Sequence, residues 1–415
     1  MDNLSHSLVG LAVGELLHRS LAQETDADRQ RTRRRLLLFC GWAASNFPDL
    51  DLVLTPLLPA PLGYLLHHRG HTHTLLYAIP QALLLLGMLW LWPSARRLMT
   101  ESPCARRSVI AAVSCGLLLH MMMDFLNSYG IHPFHPFDSR WLFGDMVFIV
   151  EPFFWIAFGV PMVMTVRNLA IRALLLAALA GTQVWFGLQG YLPWGSLAVL
   201  GAVALATGML QYRSGAHGRQ ALILALGMSG VFVFVQGFAS GQAKTLAAAT
   251  LQGMNPENRF LDAAMTSFPT NPLCWNFVSI ENNEQAGTYT LRRGVAAIAP
   301  AILPVKACPV RFSSPLVQDS ENPAIALVWT EQGSLARLRT LRNENCFFEA
   351  WLRFARMPSL GEREASDARF AWRSDENFTT LRFEEFAGRE CLHFIPGWGF
   401  PRSDILMGGK SGAGD

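Results

Sequence analysis

His120 and Asp124 stand four residues apart, a spacing that on a helix puts imidazole and carboxylate on one face a single turn apart. Such a pair can share a metal ion; the plainer reading is a hydrogen-bonded pair at a helix end. The stretch Phe47-Pro48-Asp49-Leu50-Asp51 sets two carboxylates two residues apart just after a proline, where a turning backbone can aim both at one centre. Hard oxygen donors of this kind complement imidazole for Zn, Mn or Fe, although Asp-x-Asp by itself also serves turns and helix caps. His67-His68-Arg69-Gly70-His71-Thr72-His73-Thr74 then brings four His within seven residues. Gly70 permits a tight bend through which His68 and His73 converge, and Arg69 offers a fork of donors suited to phosphate or carboxylate. A solvated His-rich loop that takes up metal adventitiously is the alternative.

Nine of the eleven His (His6, His18, His67, His68, His71, His73, His120, His132 and His135) fall in the first third of the chain, which no packing requirement explains. His6 precedes an apolar run and His18 lies beside Arg19, so position alone separates a ligand from a capping residue. His132, His135 and Asp138 occupy a Pro-Phe loop that suggests shape before chemistry. Asp145 and Glu151 flank the next apolar segment. Glu151, before Pro152 at membrane depth, is costly unless paired, which suggests a general base or a supporting residue.

The elements that must hold these groups are written in the composition. Of 415 residues, 51% are hydrophobic and 16% charged, against roughly 25% charged for a soluble domain. The bilayer is the expected solvent. A spanning helix needs about 20 mainly apolar residues. Residues 75–93, 146–166, 171–189, 194–211 and 219–238 qualify, with Pro80 and Pro161 as kinks, and 5–20, 36–46 and 108–123 are shorter and carry or flank the ionisable groups. Eight membrane helices are expected. Arg31 with Arg33 to Arg35, Arg96, Arg97, Arg106 and Arg107, Arg167 and Arg172, and Arg213 and Arg219 fall in alternate loops, which belong on the cytoplasmic side of the membrane. The candidate ligands then share the outer face.

A net charge of +3 with its Arg in short clusters argues against nucleic-acid binding. Seven Cys without a CxxC pair supply no zinc-finger framework. The N-terminus lacks the basic region of a secretory signal and is expected to be retained. After about residue 240 the apolar runs give way to mixed sequence with strand-like patches at 324–329 and 381–383. The expected fold class is mainly α, a polytopic helical membrane domain with a C-terminal soluble α+β or β-rich domain: a metal-binding membrane core over 1–160, further membrane helices over 161–240, and an extracytoplasmic domain over 241–415. There Cys274, Cys308, Cys346 and Cys391 could pair as two disulfides or stay reduced.

His6-Ser7-Leu8 with Gly10, Pro48-Asp49-x-Asp51, His68-Arg69-Gly70-x-Thr72-His73, His120-x-x-x-Asp124 and Asn127-x-Tyr129-Gly130, in this order, resemble the YdjM-like, LexA-regulated inner-membrane proteins described as membrane-bound metal-dependent hydrolases. The resemblance covers residues 1–160 and extends toward the remaining helices, leaving 240–415 aside. Thr74 replaces the usual Ser, and Glu151 stands where an Asp is expected; both keep the chemistry. The same order of His and Asp is more distantly similar to the zinc-dependent phospholipase C and P1 nuclease group. That likeness implies one or two divalent ions, foremost Zn, with His6 and Asp124 serving one. Asp124 would bridge to a second held by Asp49 or Asp51, His68 or His73, and His120. It further implies catalytic parts for Arg69, Asp51 and Glu151, and a phosphoester or lipid-linked substrate drawn from the bilayer.

Two other classes compete with a hydrolase. A metal-ion or solute transporter would gather its polar groups at the bilayer midplane and show repeated halves; here they gather at one end. A membrane-anchored sensor with a structural metal would close the coordination shell.

Overall fold

The computed structural model describes residues 1–24, 26–309, 315–370 and 377–407. It is mostly helical, with β-sheet confined to the C-terminal part. The chain opens with α1 (Asn3–Ser20), capped by the Asp2 side chain, and α2 (Ala27–Ala44), capped by Asp26. A 3-10 segment (Pro48–Leu57) and the short α3 (Leu62–His67) lead to α4 (Leu75–Trp90) and α5 (Pro93–Glu101). The long α6 (Pro103–Phe125) is followed by α7 (Pro152–Val163), α8 (Leu169–Leu188), α9 (Trp194–Ser214) and α10 (Gln220–Met254).

Among the described residues, α6, α8, α9 and α10 are long and apolar enough to cross a membrane. A fifth span results if α4 and the segment before it, bent by 75°, count as one. The expected eight helices are therefore not confirmed. Helix α7 is only 12 residues long, about 18 Å at 1.5 Å per residue, and α1 and α2 carry Glu15, Arg19 and a run of Arg.

Three of the helices come together through missing side chains. A Cβ on Gly10 would lie 2.4 Å from the Gly41 carbonyl oxygen, and one on Gly41 2.1 Å from that of Gly10. Backbones of α1 and α2 thus touch directly, the small-residue packing that suits helices in lipid. Helix α6 lies against α2, burying Ala112, Val113 and Leu117 with Leu36, Leu37 and Cys40. His6 near the start of α1 is thereby brought beside His120 near the end of α6.

The C-terminal part is built on an antiparallel meander of β1 (Arg259–Phe268), β2 (Asn271–Asn283), β3 (Thr288–Ala297) and β4 (Ile325–Ser334), ordered 1-2-3-4. Alternating side chains serve two faces. Met265, Trp275 and Phe277 pack on Ala239, Ala243, Ala247 and Leu251 of α10. Ala264, Val278, Ile280 and Leu291 face α11 (Leu335–Glu344) and α12 (Cys346–Leu352). The small sheet β5 (Pro358–Leu360), β6 (Glu364–Asp367) and β7 (Leu381–Arg382) adjoins them. Both strand-like patches of the sequence therefore contribute to strands. Disulfides join Cys274 to Cys308 and Cys346 to Cys391.

The two parts share a core. Leu62, Leu65 and Leu66 of α3 are fully buried with Phe348, Trp351 and Phe354. Helix α10 runs unbroken past the expected boundary at residue 240. Buried Arg356 bonds both oxygens of Asp145, at 2.9 and 2.8 Å, and both of Asp262, at 2.8 and 3.2 Å.

Candidate metal centre

His120 is held by its own backbone context. Its Nδ1 lies 2.8 Å from the Ser45 carbonyl oxygen at the end of α2. A carbonyl only accepts, so the ring proton sits on Nδ1 and Nε2 is left with its lone pair. His73, in the turn before α4, places Nδ1 3.3 Å from Asp51 Oδ2 and 3.0 Å from Thr72 Oγ1. The Thr72 hydroxyl itself donates to Asp51 Oδ2 at 2.7 Å, so His73 likewise turns its Nε2 lone pair inward.

The two Nε2 atoms face each other at 3.0 Å. Asp124 Oδ2 lies 3.1 Å from one and 3.5 Å from the other, and Asp49 Oδ1 lies 3.5 Å from both. Asp124 Oδ2 has no hydrogen-bond partner although it is buried. Four electron-pair donors converging on one point repel one another unless a cation, a proton or a metal ion, sits among them. Asp49, His73, His120 and Asp124 form one group able to hold a metal, and Asp49, Asp51 and His68 form a second that shares Asp49. Two imidazoles with carboxylates suit Zn, Mn or Fe.

The cluster is sealed. His73 and His120 are 0% exposed and Asp124 1%. Where a proton rather than a metal ion sits among the donors, the His120 and His73 rings carry it; burial pushes the Asp49 carboxyl up, but these rings outweigh burial and hold it well below the usual carboxylate range. Asp51 follows the same pattern through His68 and His73. His68 Nδ1 is 3.1 Å from Asp51 Oδ1.

His6 stacks on His120 with centroids 4.0 Å apart and places Nε2 3.3 Å from Asp124 Oδ1, outside both four-donor and three-donor groups. The Met1 amine also contacts that oxygen. Arg69 donates to Asp124 Oδ1 at 2.9 Å, to the Asp124 carbonyl at 3.1 Å and to Asn127 Oδ1 at 3.0 Å. Its fork is thus engaged with Asp124 and Asn127. The tight bend falls on Arg69 itself, at φ 57°, a backbone region that costs an ordinary residue strain and clusters at functional sites. Gly70 is needed for space instead, since a Cβ there would lie 2.7 Å from the His67 carbonyl oxygen.

Other sequence candidates lie elsewhere. Glu151 caps α7 and accepts from Thr270 Oγ1 at 2.5 Å and Thr270 N at 3.1 Å, tying the helices to the β1–β2 turn. His132 and His135 pack around Trp398, with centroids 3.9 and 4.5 Å away, and burial holds His132 well below the ordinary imidazole value. Asp138 pairs with Arg140 at the surface, and His18 lies 3.4 Å from Gln30 Nε2. The Ser45 carbonyl was not legible in the sequence, because a backbone oxygen carries no residue signature. Trp398, more than 260 residues from His132, had no pattern to link them.

Residues 1–194 match the family model described as YdjM inner membrane protein. The uncharacterized protein YfhP of Bacillus subtilis (strain 168) is 24% identical over 158 residues, 38% of this chain and 44% of that protein. The matched stretch thus spans less than half the length of that relative. No solved structure matches. The family and the apolar helices together support an inner membrane protein with a buried Asp/His cluster able to bind a metal ion.

Proposed function

We propose that this chain, whose residues 1–194 match the YdjM inner membrane protein model, is a membrane-bound metal-dependent hydrolase acting on a phosphoester or lipid-linked substrate at the outer face of the membrane. The observation that carries the reading is the convergence of the buried Asp49, His73, His120 and Asp124 on one point. The outer location rests on the Arg clusters, which fall at the starts of α2 and α6, while the cluster lies at the opposite ends of the same helices.

His73, His120, Asp49 and Asp124 would hold the ion, which when bound supplies a Lewis acid and a water of lowered pKa. Arg69 fixes the Asp124 carboxylate in place and neutralises part of its charge. Asp51 orients His68 through Nδ1, which leaves His68 Nε2 as the proton acceptor of the pair. His68 is also the more open member, its side chain 12% exposed. Ser45 and Thr72 set the ring orientations from behind.

The depth of the cluster favours one second reading, a structural metal in a membrane-anchored sensor, since a catalytic ion keeps an open position. Elemental analysis of purified protein, wild type against the His120→Ala, Asp124→Ala double variant, separates the outcomes. Stoichiometric Zn, Mn or Fe lost in the variant, together with metal-dependent hydrolysis in a phosphoester screen, is expected. Metal without any hydrolysis would favour the sensor, and no metal in either protein after reconstitution would end the hydrolase reading.

A further inference from the structure

A cleft of about 750 Å³ opens between the membrane part and the C-terminal part. Thr55, Pro56 and Tyr64 line one wall; Asn377, Phe378 and Arg382 line the other. Its size lies within the range of small-molecule sites, roughly 300–1,000 Å³. Tyr64 connects the cleft to the metal centre: its ring lies 5.0 Å from His68 and 5.5 Å, edge to face, from Phe378. One ring, that of Tyr64, thus stands between the cleft and His68, the most open residue of the cluster.

The threshold of the cleft is apolar and uncovered. In the 3-10 segment that supplies Thr55 and Pro56, Leu50 is 59% exposed, Val53 78% and Leu57 69%. Contiguous exposed apolar surface marks contact with another apolar phase, and a segment beside the end of α2 meets the bilayer boundary. A water-soluble ester would need no such threshold. The far wall adds Asn377, Thr380 and Arg382 beside Phe378, groups whose N–H and O–H can donate to a phosphate oxygen.

Resting on the hydrolase reading, we infer that this cleft receives the headgroup of a phosphoester lipid whose hydrocarbon stays in the bilayer across Val53 and Leu57. The C-terminal part thus supplies half of the substrate site, with Phe378 and Arg382 as specificity-determining residues.

The test reads binding rather than turnover. Full-length protein carrying p-benzoylphenylalanine in place of Phe378 is reconstituted in vesicles of phosphatidylcholine and phosphatidylglycerol and irradiated. A phospholipid adduct is expected from position 378 and none from the same group in place of Ile302, an exposed residue of the C-terminal part. Adding Val53→Asp and Leu57→Asp should abolish the adduct from 378. The adduct should persist with His120→Ala and Asp124→Ala, since neither residue lines the cleft. No adduct from 378, or equal yields from 378 and 302, overturns the inference even if the protein holds metal. An adduct in a protein without metal leaves the cleft standing and removes the hydrolase.

Discussion

Replacing Arg356 with Met isolates the role of the buried junction between the two parts. The guanidinium is 3% exposed, bridges Asp145 and Asp262, and lies 4.1 Å over the Phe143 ring. Removing one partner of a buried ionic network leaves uncompensated charge, at a cost of about 3–5 kcal/mol. Asp262 keeps Lys244 at 2.5 Å and Arg402 at 3.5 Å, whereas the described partners of the Asp145 carboxylate are both on Arg356. The lower end of that range therefore applies, about 3 kcal/mol, or roughly a hundredfold at 1.36 kcal/mol per decade. Hydrogen exchange in detergent reads this directly. Amides of β1 and of residues 354–369 should lose protection by about that factor, while those in the middle of α6 should not. Adding Asp145→Asn and Asp262→Asn should restore most of it. The sign with pH is also set. Burial pushes the Asp262 carboxyl up, but Arg356 outweighs burial and holds it well below the ordinary range. A carboxyl depressed on folding stabilises fully above its unfolded pKa, near 3.9, and progressively less as pH falls toward the folded value. Protection should thus be flat from neutrality to about pH 4 and decline below it. Unchanged exchange in Arg356→Met, within about threefold or less than 1 kcal/mol, would refute the junction as an energetic tie.

Gly41→Leu should force α1 from α2, since its first atom already meets the Gly10 carbonyl; metal content should fall although no donor is changed, and full retention would show that the helices can part without disturbing the cluster. Removing Trp398, which is 3% exposed and donates to the Leu66 carbonyl at 3.1 Å, should cost about 3–5 kcal/mol; in Trp398→Ala, protease should release residues 390–407 faster than in wild type. The disulfides close segments of 34 and 45 residues, each worth about 4 kcal/mol on the chain-entropy account; reduction should lower the thermal midpoint of the C-terminal part, and Cys346→Ser should reproduce part of that loss. Arg69→Lys keeps the charge but cannot reach Asp124 and Asn127 together, so metal content should drop relative to wild type by atomic absorption.

The clustered residues were legible as candidate donors because metal chemistry restricts such residues to few types and helix geometry fixes their spacing: His120 and Asp124 share a face, and Asp49, Asp51, His68 and His73 gather with them. The shell behind them was not. Ser45 acts through its carbonyl, and the left-handed backbone of Arg69, unlike its guanidinium fork, leaves no mark in composition. The bend was expected at Gly70 on conformational freedom, whereas the structure uses that glycine for room. Glu151 was legible as a buried carboxylate that must be paired, but its partner, Thr270, lies 119 residues on. Apolar runs located α8, α9 and α10 well. Among the described residues, α1, α2 and α7 do not reach the length and hydropathy of a span, so the expected eight are not confirmed.

The leucines of α3 belong to a core whose other wall is made much later in synthesis. Roughly 290 residues separate Leu66 from Trp351, about 15–60 s of elongation at 5–20 residues per second. Through that interval the first part of the chain is in the membrane with an apolar helix still waiting for its cover, and the membrane surface is the nearest place for that helix to rest. The cover of α3, which carries His67 and leads into the turn that holds His68 and His73, is thus complete only when the last quarter of the chain has emerged.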